Sequence, residues 1–288
     1  MIAIVGLILL FVCVFGTYII HGGSIDVVLH AAPFELAMIF GAAISAMLLG
    51  NSGLVVKKVM KSLGKVFKGE SWKSQDYRDL LALMFQLCKL IKTKGIIAAE
   101  AHIEKPEESA IFSKYPKILH DHFAIDLICD TLRMMTMNFE NPIHVEDHIN
   151  RQLDKHHHEA GKPAEVVQNM ADALPALGIV AAVLGVIKTM ASINEPPAVL
   201  GGMIGSALVG TFLGVFLAYG IVGPMASKLK LVGEGDHQFY LIIRDVLVAH
   251  LQGCAPQVSV EIGRGNIPTA IQPTFAEMEE ALNAIPPA

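Results

Sequence analysis

The first 56 residues contain no lysine or arginine, whereas residues 57–172 carry 17 of the 22 basic residues and 17 of the 27 acidic ones. This segregation constrains folding more than any single motif, because an unpaired charge is costly in any apolar surrounding. Four apolar runs stand out: Ile2–Ile20, Phe34–Val56, Ala173–Ile193 and Leu200–Met225. Each has about the 20 residues needed to cross roughly 30 Å of hydrocarbon. With 53% hydrophobic and 17% charged residues, the chain reads as all-α: a polytopic membrane protein with four transmembrane helices and a helical cytoplasmic domain. A net charge of −5 gives nucleic-acid binding no electrostatic support.

Basic residues also set the orientation. "HGGSIDVVLHAAP" between the first two runs and "SINEPPAV" between the last two have none. "KKVMKSLGKVFK" follows the second run, and Lys228 and Lys230 follow the fourth. The positive-inside rule places the short loops outside and both termini in the cytoplasm. The expected division is 1–56 for the first helix pair, 57–172 for a cytoplasmic helical domain, 173–225 for the second pair and 226–288 for a C-terminal helix and tail. The first run lacks a basic start and a small-residue cleavage site, so it reads as a retained helix.

Helices in lipid associate mainly by close backbone approach through small residues. Gly202, Ser206, Gly210, Gly214 and Ala218 repeat every four positions in the fourth run. Gly178, Ala182 and Gly185 mark the third, and Ala42, Ala46 and Gly50 the second. The bulkier first run suits a lipid-facing position. Ordinary packing within the chain accounts for part of these stripes, and contact with other chains for the rest. No ionisable residue is expected at mid-depth: Glu35 and Lys188 read as outer-edge anchors and Asp172 as an inner-edge one. If ions pass, another chain must bring the ionisable group. Pro175 reads as a first-turn proline and Pro224 as a stop, with a hinge the competing reading for each.

"MADALPALGIVAAVLGVIKTM" followed by "GGMIGSALVGTFLGVFLAYGIVGPMAS" resembles the paired third and fourth helices of the MotA stator family, in the wider MotA/TolQ/ExbB proton-channel group. "PFELAMIFGAAISAMLLGNSG", "TKGIIAAEAHIEKPEESAIFSKYP" and "GCAPQVSVEIGR" extend the similarity over essentially the whole chain. The resemblance implies an inner-membrane homopentamer around a dimer of a MotB-type partner, whose membrane aspartate supplies the carboxylate. It implies that Pro175 and Pro224 couple protonation to movement. Ala182 stands where sodium-driven relatives carry a threonine, and Thr211 matches a threonine of both types. Alanine offers Na⁺ no oxygen, so the transported ion is expected to be H⁺, with no cofactor.

From "YRDLLALMFQLCKLIKTK" to "EKPEES" the charges read by pattern as the solvated face of a helix pair. By resemblance, Lys92 and Glu100 match the family's pair that meets the rotor switch ring. Lysine keeps the charge of the family's frequent arginine but loses its planar fork, and Lys89 and Lys94 stand close by. His144 and His148 are four residues apart without a further convergent ligand, so no metal site is assigned. No nucleophile elbow or P-loop points to an enzyme. Rival readings are an ExbB- or TolQ-like energiser, which has three spans, a secondary transporter, which needs a charged or unwound midplane site, and a passive scaffold.

Overall fold

The structure, a computed structural model, describes residues 2–285; Met1 of the first expected segment and the last three residues of the 226–288 tail lie outside the described residues. Its main elements are α1 (Ile2–Ile20), α2 (Ile25–Gly50), α3 (Gly53–Ser62), α4 (Ser74–Lys94), α5 (Ile97–Ile103), α6 (His122–Thr136), α7 (Pro142–Ala191), α8 (Pro197–Leu251), α9 (Pro256–Gly265) and α10 (Phe275–Asn283). Four of these, α1, α2, α7 and α8, are long and apolar enough to span a membrane. The chain divides into two compact units: one holds the chain to Gly69 with Ala160–Val232, the other Glu70–Glu159 with the chain from Gly233.

The first unit holds α1, α2, α3 and the apolar lengths of α7 and α8. Its core is made largely of alanine, valine and leucine, among them Ala31, Ile39, Ala43, Leu174, Ala181 and Leu213. Helix α1 is apolar and mostly exposed, and it rests on α8 through rings. Phe15 meets Phe212 and Phe216 edge-on, with centroids 5.9 and 5.5 Å apart.

Three expectations about this unit are corrected. The second span begins nine residues earlier than Phe34, at Ile25, and ends at Gly50, where the Asn51 side-chain amide donates to the Met47 carbonyl at 2.9 Å. Asp26, His30 and Pro33 hide the start from a hydropathy reading. Yet Ala31, Glu35, Ile39 and Ala43, four apart, form the buried face of α2, whereas Ala42, Ala46 and Gly50 are exposed within this chain. Pro175 is not in a first turn: it lies with Pro163 inside the 50 residues of α7. Pro224 does not end its helix either. The widened π-turn Ala218–Val222 precedes it and α8 continues to Leu251. Such a turn absorbs the backbone misfit that proline introduces.

The second unit is built like a soluble helical domain, with Leu80, Met84, Leu87, Phe112, Ile128, Ile149, Phe239 and Val246 in its core. Polar caps set the helix starts. Asp76 accepts the Lys73 backbone N–H at 2.6 Å and pairs with Lys117; Asp121 accepts from the Ala124 N–H at 2.9 Å. At the C-terminal end of the chain, Thr274 and Glu277 form a reciprocal capping box on α10. Trp72 stacks on Phe239 at 3.8 Å between centroids, and His156 stacks on Phe123 at 3.7 Å.

His237 lies 4.2 Å from His157, ring to ring. Burial, and then the neighbouring His157 and His156, push His237 down from 6.5 to about 4. The unfolded chain therefore takes up a proton near pH 6.5 that the folded unit refuses until about pH 4. The stability of the unit is complete above the first value and declines as pH falls toward the second. Hydrogen exchange on the full chain in detergent, corrected for intrinsic rates, is expected to show protection of α4 and the 233–251 length of α8 falling over that window. H237N should flatten the decline, and equal declines in both proteins would remove His237 as its source.

Candidate ion pathway and coupling residues

Within the first unit α7 and α8 meet backbone to backbone. A Cβ at Gly178 would stand 2.7 Å from the Gly210 carbonyl oxygen and 3.0 Å from the Gly214 Cα. One at Gly214 would stand 2.7 Å from the Leu174 carbonyl oxygen, and one at Gly185 would stand 2.6 Å from the Ala207 Cβ. These separations are shorter than any side chain tolerates, so the glycines set the helix–helix distance. The expected stripe on α8 is thus used in two ways. Gly210, Gly214 and Ala218 are buried inside the chain, while Gly202 is exposed and Ser206 half-buried.

The opposite face of α7 is bare. Ile179, Val180, Val183, Ile187 and Met190 are all exposed. Beside them Ala182 is half-buried, as is Thr211 on α8. Among the described residues α7 carries no ionisable group between Asp172 and Lys188, and α8 carries no carboxylate, imidazole or ammonium before Lys228, only the exposed Tyr219 phenol. For these two helices the sequence expectation about mid-depth charge matches the residues present. For α2 it does not.

Glu35 is the eleventh residue of α2. At 1.5 Å per residue it lies about 15 Å along a helix of roughly 39 Å, inside its length rather than at its end. It is 7% exposed, far from an edge anchor. Its carboxyl fills the notch at Gly210, where a Cβ would come within 2.5 Å of Oε2 and 3.2 Å of the Ala181 Cβ. The sequence offered one usable signal for it: four-residue spacing from Ala31 and to Ile39 and Ala43. An open groove of about 680 Å³ runs beside it, lined by Asp26, His30, Glu35, Lys188, Thr189 and Ser206 among others. Neither Ala182 nor Thr211 lines that groove.

In the second unit Lys92 and Glu100 are both exposed. They sit on α4 and α5, which turn at Gly95 with φ +83, a backbone conformation that favours glycine. Neither belongs to an ion pair among the described residues, so both charges stand open to another molecule. Lys89 is half-buried, its ammonium 5.5 Å from the Phe85 ring centroid. Lys94 faces His102, which is pushed down by burial and then by that ammonium. Lys92 and Lys94 are thus the two exposed lysines of the three, and the Lys92 charge adds to burial in lowering His250.

Two family models match the chain: motility protein A N-terminal over residues 4–95, and the MotA/TolQ/ExbB proton channel family over residues 122–235. Motility protein A of Salmonella typhimurium is 36% identical over 285 residues, covering 99% of this chain and 96% of that one. Two solved structures share the fold. The C. jejuni MotAB structure superposes with a TM-score of 0.74 at 19% identity over 93% of this chain and 95% of its own. The flagellar MotAB stator complex from Bacillus subtilis does so with 0.68 at 22% over 90% and 92%.

The glycine contact is open to a direct test. G214V is expected to force α7 and α8 apart at an overpacking cost of about 1–3 kcal/mol. Its thermal midpoint in detergent should fall by several degrees, as about 1 kcal/mol moves Tm by roughly 2–4 °C in a chain of this size. G50A, where a Cβ meets nothing within 4 Å, should leave the midpoint unchanged. Equal midpoints for G214V and the parent would show that Gly214 is not a packing constraint.

Proposed function

The chain belongs to the MotA family of flagellar motor stator subunits, within the MotA/TolQ/ExbB proton channel family; on that premise we propose that it forms a homopentamer around a MotB-type partner in the bacterial inner membrane and turns inward proton flow into torque. As a family member it is a multi-pass membrane protein of channel and motor type rather than an enzyme. The proposed orientation has the two short loops outside and both termini in the cytoplasm, following the basic residues of the middle segment.

One observation carries this reading. The glycine side of α7 is satisfied within the chain, while the face bearing Ile179, Val183 and Ile187 beside Ala182 is left bare. A second helix-lined surface of this kind, next to α8 with its exposed Gly202, suits neighbouring subunits and a partner's single helix. The partner's aspartate would then run past Ala182 and Thr211 on helices that bring no carboxylate to that face. Each proton crossing 100 mV releases about 2.3 kcal/mol, so torque must come from many small repeated steps. Pro175, inside α7, and Pro224, after the π-turn of α8, are the proposed bending points. Proline lacks the N–H that would otherwise lock each turn.

The decisive experiment is rotation of tethered cells that lack their own stators, supplied with this chain and its partner, with external pH and sodium varied independently. Speed should follow the proton gradient and ignore sodium. Speed that follows sodium would sink the ion assignment and keep the motor.

Lys92 and Glu100 are the proposed rotor contacts. Exposed pairs contribute roughly 0.2–1 kcal/mol each, so K92E or E100K should slow swarming partially while leaving the amount of folded protein unchanged. Charge reversals on the rotor ring should restore speed. Wild-type swarming by both single variants and by the double variant would remove these residues from the contact.

A further inference from the structure

We propose that Glu35 is a proton-binding site of this subunit itself, loaded through the groove that Asp26, His30 and Lys188 line. The proposal deepens the proton-motor reading and rests on it for the direction of loading.

Three observations converge on the carboxyl. It sits at mid-length of a membrane helix, 93% enclosed by the protein. Its Oε2 atom is fully buried without a hydrogen-bond partner, although buried polar atoms are nearly always paired. And a groove of about 680 Å³ reaches it from the end of the bundle where Asp26 and His30 are exposed. An ionised carboxylate without a cation partner is expensive in such a place, and protonation removes that expense.

On α2 itself the titratable groups facing the groove are Asp26 and His30. On α7 it is Lys188, exposed at the rim, with Thr189 bonded back to the Gly185 carbonyl at 2.9 Å. The length of α8 against Glu35 offers no titratable side chain, and Ser206 is its polar residue lining the groove. Asp26 and His30 are therefore the groups that can pass a proton inward. Lys188 stands exposed at the rim of the same groove.

The chemistry is a simple exchange. A hydronium ion that enters the groove gives one proton to a Glu35 oxygen and leaves as water; the reverse step returns it. The same geometry disfavours sodium, which needs several hard oxygen ligands at once. The enclosed oxygen instead lies against the Gly210 backbone, in a notch that the Ala181 methyl also borders. Gly210 is the positioning residue: an added methyl at that point would lie 2.5 Å from Oε2 and displace the carboxyl.

The test uses the full chain with its partner in native membranes. Dicyclohexylcarbodiimide adds across protonated carboxylic acids in apolar surroundings, giving a stable acylurea that peptide mass mapping locates. Glu35 should be modified in the wild-type complex, faster in acid than in alkaline buffer, with the adduct lost in E35Q and slowed in G210A. In infrared difference spectra taken on acidification, E35Q should lose one protonated-carboxyl carbonyl band. Glu35 left unmodified at every pH, or an identical band in wild type and E35Q, would overturn the proposal. E35Q is nearly isosteric, and the labelling of wild-type protein needs no variant, so a poorly folding substitution does not block the answer. Failure here is separate from failure of the motor reading. Sodium-driven rotation would overturn the proton assignment and absent rotation the motor reading, whereas the adduct and the band report on Glu35 whether or not the cell turns.

Discussion

Gly178 and Gly214 hold the backbones of α7 and α8 in contact, and the arrangement of the membrane unit follows from that contact. In hydrocarbon, apolar side chains gain nothing by leaving lipid for protein, so helices associate where small residues let backbones touch. With these two helices closed on one side, three features follow. The apolar face of α7 is turned outward, the notch at Gly210 receives Glu35 from α2, and the aromatic cluster on α8 receives Phe11 and Phe15 from α1. A larger residue at either glycine would shift all three together.

The two units solve the packing problem by opposite means. In the first, the core is rich in alanine, valine and leucine, and large apolar groups point outward, as on α1. In the second, large apolar groups point inward and the surface carries ion pairs such as Arg133–Glu104 at 2.8 Å and Arg78–Glu277 at 2.9 Å. The same side chains change sides because the solvent changes: water rejects them and lipid does not. Burial in the second unit also pushes the Cys88 and Cys129 thiols up to about 12, which keeps them protonated and inert.

Several parts of the fold were legible in the residues. Helix α4 could be read from the spacing of Leu80, Met84, Leu87 and Leu90, and the α8 stripe from its four-residue repeat. Other parts were not. The start of α2 was obscured because Asp26 and His30 lower the hydropathy that a window reads, although both line a groove that polar side chains suit. Pro175 and Pro224 suggested helix ends, since proline removes one backbone donor. Only a long neighbouring helix shows that the loss can be absorbed within a continuous α7 or α8. Lys89 could be separated from the exposed Lys92 and Lys94 only once the ring of Phe85 was placed beside it.

The sequence alone determined the number of membrane-spanning helices, the segregation of charge and the family, since each depends on the order of residue types along the chain. Tertiary structure decided which face of α2 is buried and with it the environment of Glu35. Helical period places a residue on a face, but neighbouring helices determine whether that face meets lipid, water or protein. A carboxylate one turn from a helix end and one enclosed at mid-length have the same letter in the sequence. The notch at Gly210, which belongs to a helix more than 150 residues away in the chain, makes the difference.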